Sequence, residues 1–142
     1  MIDLPCVKQG EDWDCGRACA RAVLSLFGRT AGSSLMLANP VQGMCPSTLE
    51  ATMRSFSLPV ASGHFRVEDL KHFTDSGRPV MCCISAHGGH WVVVQGVARG
   101  FVYYMDPLSG ETKRVRAHDW VNQWRDTDSK GTTYIHWGVV CG

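Results

Sequence analysis

The stretch that decides how this chain is read is QGEDWDCGRACA, Gln9 to Ala20. From Cys15 onward the apolar residues Ala18, Ala22 and Leu26, with Cys19 and Val23, recur at three- and four-residue spacing. That period predicts a helix over Cys15–Phe27, ended by Gly28, with Asp14 at its N-cap. A thiol therefore falls in the first helical turn. The macrodipole and the unpaired N–H groups there favour an anion and are expected to lower the thiol pKa, while the Asp14 carboxylate next to it works against a thiolate. A glutamine amide, Gln9, lies six residues upstream. The rest of the chain either supplies partners for this thiol or does not.

Working outward, residues 29–45 read as a Gly/Pro-punctuated polar loop. Ser47-Thr-Leu-Glu50 has the spacing of a capping box and opens a second helix to about Phe56. A short helix is predicted over 66–74, closed by Gly77. The character then changes to β-rich runs: Pro79–Ser85, Trp91–Val97, Phe101–Met105, Thr112–Val115 and Tyr134–Val140, separated by Gly, Pro, Asp and Ser. Val97 to Phe101 reads as a tight hairpin, and His118–Trp124 as one or two helical turns. Helices first and an antiparallel sheet after them define an α+β fold, and 142 residues suit one domain spanning 1–142.

Charge narrows the function classes. Fourteen Lys and Arg against thirteen Asp and Glu leave a net charge of +1 with no basic stripe, so nucleic acid and membrane surfaces find no electrostatic footprint. The N-terminus lacks the basic and apolar regions of a signal peptide, and the longest apolar run is too short to span a bilayer. The expected setting is a cytoplasm. Seven cysteines, at 6, 15, 19, 45, 82, 83 and 141, are an odd count with one adjacent pair, a poor disulfide framework, so reduced thiols are expected.

Partners for Cys15 do appear. His90, in Gly88-Gly89-His90-Trp91-Val92, stands at the mouth of a predicted strand and can serve as base. Asp106, in Met105-Asp106-Pro107, ends the next strand, and a hairpin can set it beside His90 to orient the ring and stabilise the imidazolium. Gln9 can offer its amide N–H to a developing oxyanion together with the backbone N–H of Cys15. Each residue alone has a plainer reading: a packed thiol, a surface amide, a core histidine, a turn-opening Asp-Pro. Together, four complementary residue types fall at element ends in one workable order. Trp13 and Trp91, each next to a proposed catalytic residue, are expected to border a substrate groove with Gly89.

Other constellations read as packing. Cys82 and Cys83 point to opposite faces of a strand and cannot chelate together, and no paired C-x-x-C is present, so no metal site and no cofactor is expected. Cys19 lies on the same helix face as Cys15, where a direct bridge is strained. His87 reads as a pocket-rim residue, and Trp120 with Trp124 as one packed helix face.

The chain resembles the papain-like cysteine peptidases that process bacteriocin precursors at double-glycine leaders, and their stand-alone relatives. The likeness rests on Gln9, Asp14-Cys15-Gly16-Arg17-Ala18, Gly89-His90-Trp91-Val92-Val93 and Asp106-Pro107-Leu108-Ser109-Gly110, in that order. It implies a papain-like fold, with Cys15 as nucleophile, His90 as base, Asp106 as orienter and Gln9 as oxyanion donor. The segment Trp13-Asp14-Cys15-Gly16 with Ala18-Cys19 is locally similar to guanylyl-cyclase-domain-containing proteins, which share the same core. The implied activity is a cysteine hydrolase acting on a peptide or isopeptide bond of a peptide or protein, with glycine expected at the cleavage site. The alternatives are a non-catalytic peptide-binding module of the same fold and an acyltransferase using the same triad.

Overall fold

The apolar repeat that begins at Cys15 forms α1, Cys15–Leu26, in the computed structural model, which describes residues 1–11, 13–29, 45–86, 89–128 and 130–142. Phe27 is its C-cap, next to Gly28. The predicted loop at 29–45 falls almost wholly outside the described residues. The second helix, α2, spans Pro46–Ser55 and starts earlier than the capping-box reading places it, with Cys45 as N-cap and Pro46 in the first turn. The Ser47/Glu50 box does not form. Glu50 instead accepts a hydrogen bond from Ser62 Oγ at 2.7 Å and pairs with Arg54 at 2.7 Å. Proline at the first helical position needs no N–H partner, so it sets the helix start one residue before the serine. α3 is Val67–Asp75, and the Asp69 carboxylate accepts the N–H of its N-cap Arg66 at 2.8 Å.

The sheet is built from β1 (Val60–His64), β2 (Val80–Ile84), β3 (His90–Ala98), β4 (Phe101–Asp106), β5 (Glu111–Arg116) and β8 (Trp137–Cys141), in the order β1-β8-β2-β3-β4-β5. Its pairings are antiparallel. α4 (Ala117–Gln123) follows β5, and β6 (Arg125–Thr127) pairs with β7 (Thr133–Ile135). The single β run expected at 134–140 is thus two strands, broken where His136 takes φ 54°. β1 and β6 escape the sequence reading because Val-Ala-Ser-Gly-His and Arg-Asp-Thr lack the alternation of a half-buried strand.

Two apolar layers cover the two faces of this sheet. Residues of α1 and α2, including Cys19, Val23, Leu49 and Met53, pack against Met81, Trp91, Val93 and Met105. On the other face Leu70, Trp120 and Trp124 pack against Cys82, Val92 and Val94. β2 is buried at every position because both its faces are covered, which is why it reads as a continuous apolar run. Each such valine or methionine withdrawn from water contributes about 1.5–3 kcal/mol before entropy is counted.

Two features of this frame place the site. β3 and β4 are joined by the two-residue turn Arg99-Gly100, both with positive φ (54° and 80°), as a right-twisted hairpin requires. A register shift at Gln95 then sets the far ends of the two strands. Gln95 is buried; its amide donates to the Ile2 carbonyl at 3.2 Å and accepts from Thr112 Oγ1 at 2.9 Å. Ile2 N–H returns a bond to the Gln95 carbonyl at 2.9 Å, so the N-terminal segment is fastened to the sheet at its start.

Candidate active site

Cys15 opens α1 and is buried at 6% exposure. Its sulfur accepts the N–H of Trp91 at 3.5 Å, so the thiol lies against the mouth of β3, one residue from His90. Burial pushes the thiol above its ordinary value. The backbone N–H groups of Trp91, Gly16 and Cys15 oppose this, and the Asp14 charge adds to it. The helix terminus and Asp14 therefore act in the opposite directions expected of them, and desolvation decides the net rise. Asp14 occupies the N-cap position without a side-chain cap bond. Its carboxylate pairs with Arg17 at 3.2 Å and accepts the Gly10 N–H at 3.3 Å.

The β3–β4 hairpin brings His90 and Asp106 together. His90 Nε2 is 2.7 Å from Asp106 Oδ1, and both residues are buried. The Leu108 N–H also donates to Oδ1, at 2.9 Å, as the Asp-Pro turn predicts, and Lys113 Nζ donates to Oδ2 at 2.9 Å. Burial opposes the Asp106 charge, yet the hydrogen bonds from Lys113, His90 and Leu108 outweigh it and hold the carboxyl below its ordinary range. Lys113 was not legible from the motif reading. A signal for it existed: in a β4–β5 hairpin pairing Asp106 with Glu111, residue 113 lies on the same face, diagonal to Asp106.

Gln9 is carried to the same corner. Its backbone N–H donates to the Pro107 carbonyl at 2.7 Å, and its side-chain Nε2 donates to the Glu11 carbonyl at 2.7 Å. The opposite amide orientation would set two oxygens against each other, so the assignment is fixed. Nε2 keeps a second N–H, while Oε1 is buried without a partner. Where this segment crosses the turn, Gly110 has φ +71° and a Cβ there would lie 3.1 Å from Lys8 Cβ, so glycine is what fits.

Of the groove residues, Trp91 contributes its backbone N–H; its ring is buried in the layer beneath α1. Trp13 is half-buried, with the Arg17 guanidinium 5.8 Å from its ring centre. Gly89 has φ +110°, and a Cβ there would stand 2.6 Å from Asp126 Oδ1. Asp126 also accepts a hydrogen bond from the Cys83 thiol at 3.2 Å, and burial raises its carboxyl above the usual value. Asp126 was not singled out in the sequence, and Cys83 was read there only as a packed thiol, because their proximity to Gly89 depends on β6 folding back beside β2. Cys82 and Cys83 do fall on opposite faces, in different apolar layers. All seven cysteines are unbridged. His87 lies outside the described residues. Among the described residues no His/Cys/Asp/Glu cluster is placed to hold a metal ion, and no helix is long and apolar enough to cross a membrane. A cavity of about 400 Å³ lies between α3 and the β3–β4 hairpin, lined by Lys71, Thr74, Arg99 and Tyr103, and contains none of these reactive groups.

Helices on an antiparallel sheet, with a cysteine opening the first helix and a His–Asp pair at strand ends, form a fold of the papain-like class. The sequence matches the Peptidase C39 family over residues 3–127. The chain belongs to that family. No curated protein matches it. Among solved structures, the peptidase domain of Streptococcus ComA, a bifunctional ABC transporter involved in quorum sensing, superposes with a TM-score of 0.76 at 18% identity, covering 99% of this chain and 98% of that one. A double glycine motif protease from an AMS/PCAT transporter, in complex with the leader peptide, gives 0.75 at 17% identity over 98% and 91%. A C39-like peptidase from Bacillus anthracis gives 0.75 at 15% identity over 99% and 94%. At these identities the superpositions show the shared fold.

Proposed function

We propose that residues 1–142 act as one catalytic unit that cleaves a peptide after glycine, with Cys15 as nucleophile, His90 as base and acid, Asp106 as orienter and Gln9 as oxyanion donor. The observation that carries this reading is the buried 2.7 Å bond from His90 Nε2 to Asp106, one residue along β3 from the N–H that holds the Cys15 sulfur.

With Nε2 committed to Asp106, Nδ1 is the ring nitrogen that exchanges a proton with Cys15. Sγ passes its proton to Nδ1 as it bonds to the carbonyl carbon. The oxyanion is met by the Cys15 backbone N–H and the second N–H of Gln9 Nε2. As the C–N bond breaks, the imidazolium returns the proton to the leaving amine. Water, deprotonated by His90, then hydrolyses the thioester and frees the thiol. Because burial disfavours an isolated thiolate here, the charge-separated state depends on the imidazolium and on Asp106 behind it.

Glycine at the cleavage site is supported by the relative solved with its leader peptide, which is a double glycine motif protease. The test is a peptide library varied at the two positions before the scissile bond, with products read by mass spectrometry. Cleavage after Gly-Gly that disappears in Cys15→Ala is the expected result. Hydrolysis with no preference for glycine, or hydrolysis that survives Cys15→Ala, refutes the assignment.

A further inference from the structure

We propose that Lys113 is a positioning residue of the reaction centre: its ammonium group, held on Oδ2 of Asp106, limits how firmly Asp106 keeps a proton on His90. This rests on the triad reading above and adds a residue that reading does not contain.

The geometry divides the Asp106 carboxylate between two tasks. Oδ1 takes His90 Nε2 at 2.7 Å and the Leu108 N–H at 2.9 Å; Oδ2 takes Lys113 Nζ at 2.9 Å. One negative charge is thus shared by a lysine and by the ring that becomes an imidazolium. The Asp106 and His90 side chains are 6% and 4% exposed, whereas Lys113 reaches in from the surface of β5 at 42% exposure. A cation entering from solvent is partly screened, so its effect on the buried pair is moderate. Among the described residues, the other titratable groups near this pair are Tyr104 on β4, Glu111 on β5, Cys15 and Cys19 on α1, and Cys83 on β2, whose thiol lies against the His90 backbone and the Asp126 carboxylate of β6. α4 contributes Gln123, which is neutral. Among the described residues Lys113 is the cation that contacts Asp106.

The sign follows. Lys113 neutralises part of the charge that holds the proton on His90. Without it the imidazolium faces an undivided carboxylate and survives to higher pH. A lysine that served only to fasten β5 to β4 would change stability and leave the titration of the Cys15–His90 pair where it was, since the backbone ladder sets that register.

Alkylation of Cys15 by iodoacetamide, followed by mass spectrometry across pH, reads this directly. In a thiolate–imidazolium pair the rate shows a plateau bounded above by loss of the His90 proton. In Lys113→Met that upper limb is expected to move up by about 0.5–1 pH unit, and in Lys113→Arg, which keeps the charge, to stay near the parent's. If the parent has no plateau, and its profile equals that of His90→Ala, the triad reading fails and the inference with it. If the parent has a plateau but the upper limb stays put or falls in Lys113→Met, or moves equally in Lys113→Arg, the triad stands and the role of Lys113 is refuted. Melting temperatures of both variants accompany the profiles, so that loss of fold is not read as a change of limb.

Discussion

Removing the base should invert the pH dependence of Cys15 rather than simply slow it. In His90→Ala the thiol loses the cation that offsets its desolvation, so it should titrate above the ordinary 9.0, in the direction that burial pushes it. An imidazolium beside the thiol favours its thiolate, so the parent should alkylate at lower pH than the variant. Each pH unit of that offset raises the thiolate fraction in acid about tenfold. A thiolate made less basic is also a weaker nucleophile, with a Brønsted slope of about 0.4–0.5, which gives back about threefold per unit. The net expectation is an acid-limb alkylation rate lower in His90→Ala by about threefold for each unit of offset, and a faster variant on the alkaline side. The assay is iodoacetamide labelling with site-resolved mass spectrometry; Cys19 and Cys82, both fully buried, serve as internal references for loss of fold. A single measurement at one pH does not report the pair; the crossing of the two profiles does. Profiles that run parallel from acid to alkali would refute the reasoning, because Cys15 would then titrate without help from His90.

Gly89→Ala should cost about 1–3 kcal/mol in urea unfolding, because its backbone at φ +110° strains any side chain. Adding Asp126→Ala should recover only the part due to the 2.6 Å collision; full recovery would show that the backbone is not strained. Gln9→Ala should lower kcat by about 10²–10³ with little change in Tm, because the side-chain bond it gives up, to the Glu11 carbonyl, is exposed. A large fall in Tm with kcat preserved would assign Gln9 to stability instead. Cys141 is pushed up to about 12 by burial, so its neutral form contributes stability that is complete below the ordinary thiol range and lost as pH rises toward that value. Cys141→Ala should therefore flatten the fall of Tm between about pH 9 and 11, whatever it costs at neutral pH; an unchanged alkaline slope would count against a buried neutral thiol.

Local chemistry made much of this molecule readable from its sequence. The 3.6-residue period after Cys15 determined α1, because a helix needs one apolar stripe to meet a sheet. The apolar β-prone runs determined β2, β3 and β4, most clearly β2, which is covered on both faces and apolar throughout. Cys15, His90 and Asp106 mark one corner because each stands at an end of a helix or strand, and Gln9 reaches it through its backbone bond to Pro107. Tertiary structure decided the rest. Whether burial or the helix terminus governs the Cys15 thiol depends on how deeply α1 sinks into the layer beneath it, which no local pattern records. The Lys113 clamp on Asp106, and the approach of Asp126 to Gly89, arise from register and chain return, where residues distant in sequence meet only after strands have paired. Sequence specifies which groups can ionise and which faces are apolar. Desolvation and long-range contact depend on the whole packed chain, and they decide which charge each group of the site can hold.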